Sequence, residues 1–184
     1  MKIEGWGTRW EWEKSNEVAV FTLDSKVEQI KPVVMKEVKE VLKEFSLPID
    51  VTDGNLKSGE DMAQIQALFE SSINFNQINY DEFQGKLLKA REGGRLPFGL
   101  IVLVDKDHYT FYHPSQQMEP AIYGVGVSDG LVILRHTHRE AVRHEFGHML
   151  GLGIHHQGCI MDYNCPPSKF CNKCKTQIRK MWQV

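Results

Sequence analysis

The chain has 184 residues, 41% of them hydrophobic and 25% charged, with a formal net charge of −2. That length suits one domain with a real core, and the slightly negative balance argues against an electrostatic nucleic-acid binder. No apolar run approaches the about 18–20 residues that span a bilayer. Met1 to Trp6 carries no hydrophobic signal core, so we expect a cytoplasmic monomer that meets neither membrane nor nucleic acid. Folded-looking sequence begins almost at once, so no inhibitory propeptide is expected either.

Trp6, Trp10 and Trp12 alternate loosely, as packing residues of an edge strand do. Residues 18–23 read as a buried strand. Asp24 or Ser25 then offers an N-cap, and Val27, Ile30, Val34, Val38, Val41, Leu42 and Phe45 recur at helical spacing. Pro32 places the helix start, or a kink, close by. Residues 47–51 predict a second short strand. Residues 52–75 are polar and poorly periodic, a surface excursion with one helical turn near 62–69. Residues 79–90 predict a helix ended by Gly93 and Gly94. Residues 98–105, nearly all apolar, form the clearest strand, and such a run belongs in the middle of a sheet. Two further strands, 121–127 and 131–135, flank the turn Ser128-Asp129-Gly130. A helix then carries the motif described next, and a last helix over 172–182 puts Cys174, Ile178, Met181 and Trp182 on one side. The layout is α+β, with one subdomain over 1–151 and a small C-terminal one over 152–184.

The chemistry sits in His144-Glu145-Phe146-Gly147-His148-Met149-Leu150-Gly151, followed by His155, His156 and Cys159-Ile160-Met161. Residues i and i+4 share a helix face, so His144 and His148 can grip one metal ion. Glu145 lies one position round, too far to be a third ligand yet close enough to handle a proton. Gly151 can end the helix with φ > 0 and turn the chain back, bringing a later histidine to the same ion. Three neutral nitrogens leave a zinc ion's fourth position open to water, as hydrolysis requires. Thr137 to Glu140 reads as a capping box, and Val142, Phe146, Met149 and Leu150 would bury the opposite face. His108, His113, His136 and His138 lack ligand spacing and read as surface or capping residues, with His136 and His138 near enough to line a cleft.

All four cysteines, Cys159, Cys165, Cys171 and Cys174, fall near the C-terminus. Without an export signal such clustering favours metal over disulfides.

The run HEFGHMLGLG, a following histidine, Cys-Ile-Met and a distal Cys-x-x-C together resemble the archaemetzincins, a family within the metzincin clan of zinc peptidases. The resemblance covers roughly residues 98–182. It implies a twisted mixed sheet of about five strands, a backing helix, an active-site helix, a methionine turn at Met161 and two zinc ions, one catalytic and one structural. Ile154 stands where the family places its third histidine, and the stretch from Gly153 to Cys159 is one residue short. The simplest alignment puts the family's His-Cys pair on His155-His156, making His155 the third catalytic ligand. The reverse choice, His156, stays open. The structural ion would take Cys159, Cys165, Cys171 and Cys174, or His156 in place of Cys165.

On this reading the chain hydrolyses peptide bonds. Glu145 is the general base, and the Met161 thioether floors the histidine cluster. Tyr163 resembles the tyrosine that some metzincins bring to the zinc or the oxyanion, a surface position being the alternative. Strand 121–127 would pair with an extended peptide substrate, Gly124 and Gly126 letting a second backbone approach. The alternative from another class is a zinc-stabilised peptide- or protein-binding module with little hydrolysis. Its motive is the shifted third histidine, with Lys173, Lys175, Arg179 and Lys180 as partner contacts.

Overall fold

The computed structural model describes residues 16–94, 96, 98–112, 124–127, 130–135, 137–153, 157–162 and 169–182. Its centre is a five-stranded sheet ordered β2-β1-β5-β8-β7. The strands are β1 (Glu17–Thr22), β2 (Asp50–Asp53), β5 (Gly99–Leu103), β8 (Leu131–Leu134) and β7 (Gly124–Val127). The first four run parallel and β7 is antiparallel to β8. The sheet is mixed, as expected.

Alternation along each strand divides the core in two. Val18, Val20, Ile101, Leu103, Val132 and Leu134 face one helical layer. That layer holds α1 (Lys31–Glu44) and α4 (Arg139–Met149). Ala19, Phe21, Leu100, Val102, Leu131 and Ile133 face the other. There lie Ile65 and Phe69 of α2 (Gly59–Glu70), with Phe83 and Leu87 of α3 (Tyr80–Glu92). Both faces are covered, so β5 and β8 are buried at every position and read as unbroken apolar runs. No helix among the described residues is long and apolar enough to cross a membrane.

Three expectations shift. Helix α1 starts at Lys31, with Pro32 in the first turn where its missing N–H costs nothing, after a 3-10 stretch, Ser25–Ile30, whose first turn Asp24 caps. The second strand begins at Asp50. Leu47 and Ile49 are buried, but they belong to the turn after α1, where Ser46 takes φ 55° and the Leu47 N–H returns to the Leu42 carbonyl. Residues 52–75 hold a full helix, α2, with Ser58 accepting from the Asp61 N–H. It buries Ile65 and Phe69, with Met62 and Leu68 packed beside them, and its polar first turn, Gly59 to Asp61, left only the turn near 62–69 legible. A small sheet of β3 (Ile73–Asn74), β4 (Gln77–Asn79) and β6 (Thr110–Tyr112) was not anticipated. Helix α5 (Asn172–Trp182) matches its predicted span.

The expected capping box does not form. His138 is the N-cap of α4 and makes no side-chain cap bond, so Glu140 falls one position too early to reach back. Ion pairs anchor this helix instead. Buried Arg143 reaches Glu37 at 3.0 Å, Glu44 at 3.3 Å and Glu40 at 3.4 Å, all on α1. Arg139 reaches Glu37 at 3.1 Å, and Lys175 of α5 reaches Glu44 at 2.9 Å. Without Arg143, Glu37 and Glu40 keep Arg139 and Glu44 keeps Lys175, so no carboxylate is stranded. We therefore expect Arg143→Ala to lower unfolding free energy by about 1–3 kcal/mol. Lys175→Ala, at a half-exposed pair, should cost less than about 1 kcal/mol. Denaturant unfolding of both variants checks this, and equal losses would contradict it.

Candidate metal centres

Helix α4 buries Val142, Phe146 and Met149 against the sheet and turns His144 and His148 to the other side. Their Nε2 atoms lie 3.2 Å apart. Two tetrahedral zinc ligands at 2.0–2.1 Å are separated by about 3.3 Å, so the pair already has the spacing of one ligand edge. Its orientation is fixed from behind. The His144 Nδ1 meets the Ile160 carbonyl at 2.8 Å, and the His148 Nδ1 meets the Leu152 carbonyl at 2.6 Å. A carbonyl can only accept, so each Nδ1 carries the proton and each Nε2 presents a lone pair. Burial also pushes the His144 pKa below the usual imidazole value, against the opposite pull of the Ile160 carbonyl and Asp162. The neutral, ligating form is favoured.

The Leu152 carbonyl is in place because the helix ends in a Schellman turn. Gly151 takes φ +100°, its N–H bonds the His148 carbonyl at 2.9 Å, and the Leu152 N–H bonds the Gly147 carbonyl at 3.0 Å. Met161, fully buried, lies against the helix between the two histidine turns. Its sulfur is 2.6 Å from where a Cβ on Gly147 would be, so any larger residue there must displace Met161.

Glu145 points to the edge strand. Its carboxylate accepts from the Gly126 N–H, and burial raises its pKa to about 8 against that hydrogen bond. A Cβ on Gly126 would strike the Glu145 carbonyl oxygen, and one on Gly124 would lie 2.7 Å from the Glu145 Cγ. The backbone that these glycines admit is therefore the chain's own helix, which corrects the expectation of a substrate backbone at that spot.

Beyond Met161 a second cluster forms. Cys159, Cys171 and Cys174 bring their sulfurs within 4.8 Å of one another, at 3.5 Å for Cys159–Cys174 and 3.6 Å for Cys171–Cys174. A disulfide would need about 2.05 Å, and all three thiols are free. Thiolates on one zinc ion at 2.3 Å stand about 3.8 Å apart, so these cysteines fit a metal. Burial and the neighbouring sulfurs push the Cys174 thiol up. For Cys171 burial pulls upward too, but the Cys174 N–H, the Cys159 and Cys174 side chains and the Lys173 N–H bring it below the usual thiol value. The Cys171 N–H also donates to the Cys159 sulfur at 3.1 Å. His155, His156, Cys165 and Tyr163 lie outside the described residues, as do Trp6, Trp10 and Trp12.

The fold is that of an archaemetzincin. The chain matches the 1.5 Å crystal structure of archaemetzincin from Methanopyrus kandleri with a TM-score of 0.57, covering 93% of this chain and 97% of that one at 12% identity. No protein-family model matches the sequence, and no curated protein matches it. The archaemetzincin likeness is one of backbone shape; the metal-fitting cysteines are this chain's own observation.

The reading of residues missed the Ile160 and Leu152 carbonyls, because a backbone acceptor leaves no side-chain signal. It also missed what Gly147 does, although an interior helical glycine loses about 1 kcal/mol to alanine without a packing reason. Two outcomes follow from this geometry. Gly126→Ala, which must move helix backbone, should destabilise by about 1–3 kcal/mol, and more than Gly124→Ala, where part of the obstacle is side chain; thermal unfolding ranks them. The second concerns pH. A Glu145 pKa raised to about 8 when folded, from 4.5, means that the native state holds the extra proton. Its stabilisation is complete below pH 4.5 and fades as pH rises through about 8, at up to about 1.4 kcal/mol per unit. Metal-free protein should lose stability across that window more steeply than metal-free Glu145→Gln, and parallel curves would refute the assignment.

Proposed function

We propose that this chain is a zinc-dependent peptidase of the archaemetzincin type with two zinc sites. His144, His148 and His155 hold the catalytic ion, and Cys159, Cys171 and Cys174 hold the structural ion with Cys165 or His156 completing the set. The observation that carries this reading is the imidazole pair: Nε2 atoms 3.2 Å apart, each Nδ1 tied to a carbonyl, with a buried carboxylate on the next residue. The archaemetzincin fold, seen also in the Methanopyrus kandleri protein, supports it.

A zinc ion at the histidines would supply a Lewis acid that acidifies water and polarises a peptide carbonyl. The protein supplies the rest. The carbonyls of Ile160 and Leu152 hold both rings to one tautomer and one orientation. Glu145 takes the proton of the attacking water and returns it to the departing amine, held in place meanwhile by the Gly126 N–H. Met161, fully buried, packs its thioether against Gly147 between the two histidines of the helix. Strand β7, antiparallel at the end of the described sheet order, is the edge beside Glu145 that an extended peptide would join. Tyr163 is kept as a proposed contact to the oxyanion.

Glu145→Gln conserves size and removes only the base. We expect at least about 100-fold loss of peptide cleavage, with two zinc ions per chain retained by elemental analysis. Cleavage at the wild-type rate, or wild-type protein that takes zinc at the cysteines alone, would defeat the proposal.

A further inference from the structure

Neither carbonyl that orients the histidines stands alone: each is held from the cysteine lobe. Ile160, whose carbonyl takes the His144 Nδ1 proton at 2.8 Å, directly follows Cys159. Cys159 sits in the thiol cluster, its sulfur 3.5 Å from Cys174 and 3.1 Å from the Cys171 N–H. Its own carbonyl closes the turn on the Asp162 N–H at 2.9 Å, and the Ile160 N–H donates to the Lys169 carbonyl at 2.9 Å. A move of Cys159 therefore moves the Ile160 carbonyl and, one residue on, the Met161 sulfur seated against Gly147.

The second route runs through α5, which carries Cys174 near its start. From the same helix the Trp182 Nε1–H donates to the Leu150 carbonyl at 3.3 Å, and the Gln177 amide donates to the Gly151 carbonyl at 3.2 Å. The Met181 methyl fills the space where a Gly151 side chain would stand. Leu150 and Gly151 lead straight into Leu152, the acceptor for His148. Two separate connections thus reach the two imidazoles, one to each.

The geometry points to thermodynamic coupling of the two metal sites, in which metal at Cys159, Cys171 and Cys174 positions His144 and His148 and raises the affinity of the histidine site. The inference rests on the two-site reading above. The partners of ligating histidines alter metal affinity by about 10–100-fold when lost, and here both partners hang on one lobe. Coupling between two bound ions is reciprocal, so metal at the histidines must strengthen the cysteine site by a similar factor.

The test is zinc competition against chelators of graded strength on the full chain, with cobalt substitution separating thiolate from imidazole coordination by its absorption. The double variant Cys171→Ser/Cys174→Ser should weaken the histidine site by about 10–100-fold. His148→Ala should weaken the cysteine site comparably. Trp182→Phe keeps every thiol and histidine, retains an aromatic ring and removes the bond to Leu150; it should weaken the histidine site several-fold, and it decides the matter should the double variant fail to fold. A histidine site of wild-type affinity in Trp182→Phe or the folded double variant overturns the coupling and leaves the peptidase reading standing. Wild-type protein with cobalt at the thiols alone overturns both, and the two failures are told apart without any activity assay.

Discussion

Two nitrogen lone pairs facing each other across 3.2 Å are the constraint around which this molecule is arranged. Left to themselves, two acceptors at that distance repel, and one ring would turn away or take up a proton. The first escape is opposed at both rings and the second at His144. Each ring is pinned by its Nδ1 proton to a backbone carbonyl, and burial disfavours charging His144. A cation between the Nε2 atoms would relieve that repulsion, which is what preorganisation of a metal site would mean in physical terms. The energy that maintains the arrangement comes from folding, not from the ion.

The rest of the fold supplies that energy locally. Helix α4 has no side-chain N-cap, so its first turn depends on Arg139 and its second on Arg143, both paired with carboxylates of α1. The far end of the helix is closed by a Schellman turn and by α5. On its buried face Val142, Phe146 and Met149 join the layer that Val18, Val132 and Leu134 of the sheet complete. The C-terminal residues Cys159, Ile160, Met161, Phe170 and Ile178 belong to that same layer, so the cysteine lobe is packed into the core that carries the histidines.

What the sequence revealed and what it hid divide along a physical line. Strands β5 and β8 announce themselves as unbroken apolar runs, and helices α1, α3 and α5 by apolar residues that recur at helical spacing. The motif was legible for the same kind of reason: i, i+4 histidines and a C-x-x-C pair are ligand geometries written directly in spacing. Helix α2 showed only as one turn near 62–69, because its first turn, Gly59 to Asp61, carries no apolar residue, and β3, β4 and β6 were hidden by their two- and three-residue lengths. The capping box failed over a one-residue shift of a helix start, the least legible feature of any helix. Gly124 and Gly126 were rightly taken as places of close approach but assigned the wrong visitor, because sequence shows the missing side chain and not what fills its space.

Those glycines belong to a pattern. Around α4, a Cβ at Gly126 would meet the Glu145 carbonyl, one at Gly147 the Met161 sulfur, and one at Gly151 the Met181 methyl. The edge strand, the turn at Met161 and α5 each press on α4 at a point where a glycine has removed the obstacle. Three contacts from three directions leave a rigid body little freedom to shift, and in a close-packed interior a displacement of one wall must displace the others. The helix that carries His144, Glu145 and His148 is thus fixed by absent side chains as much as by its ion pairs. Side chains that must stay aligned within a fraction of an ångström require that kind of clamping from their support.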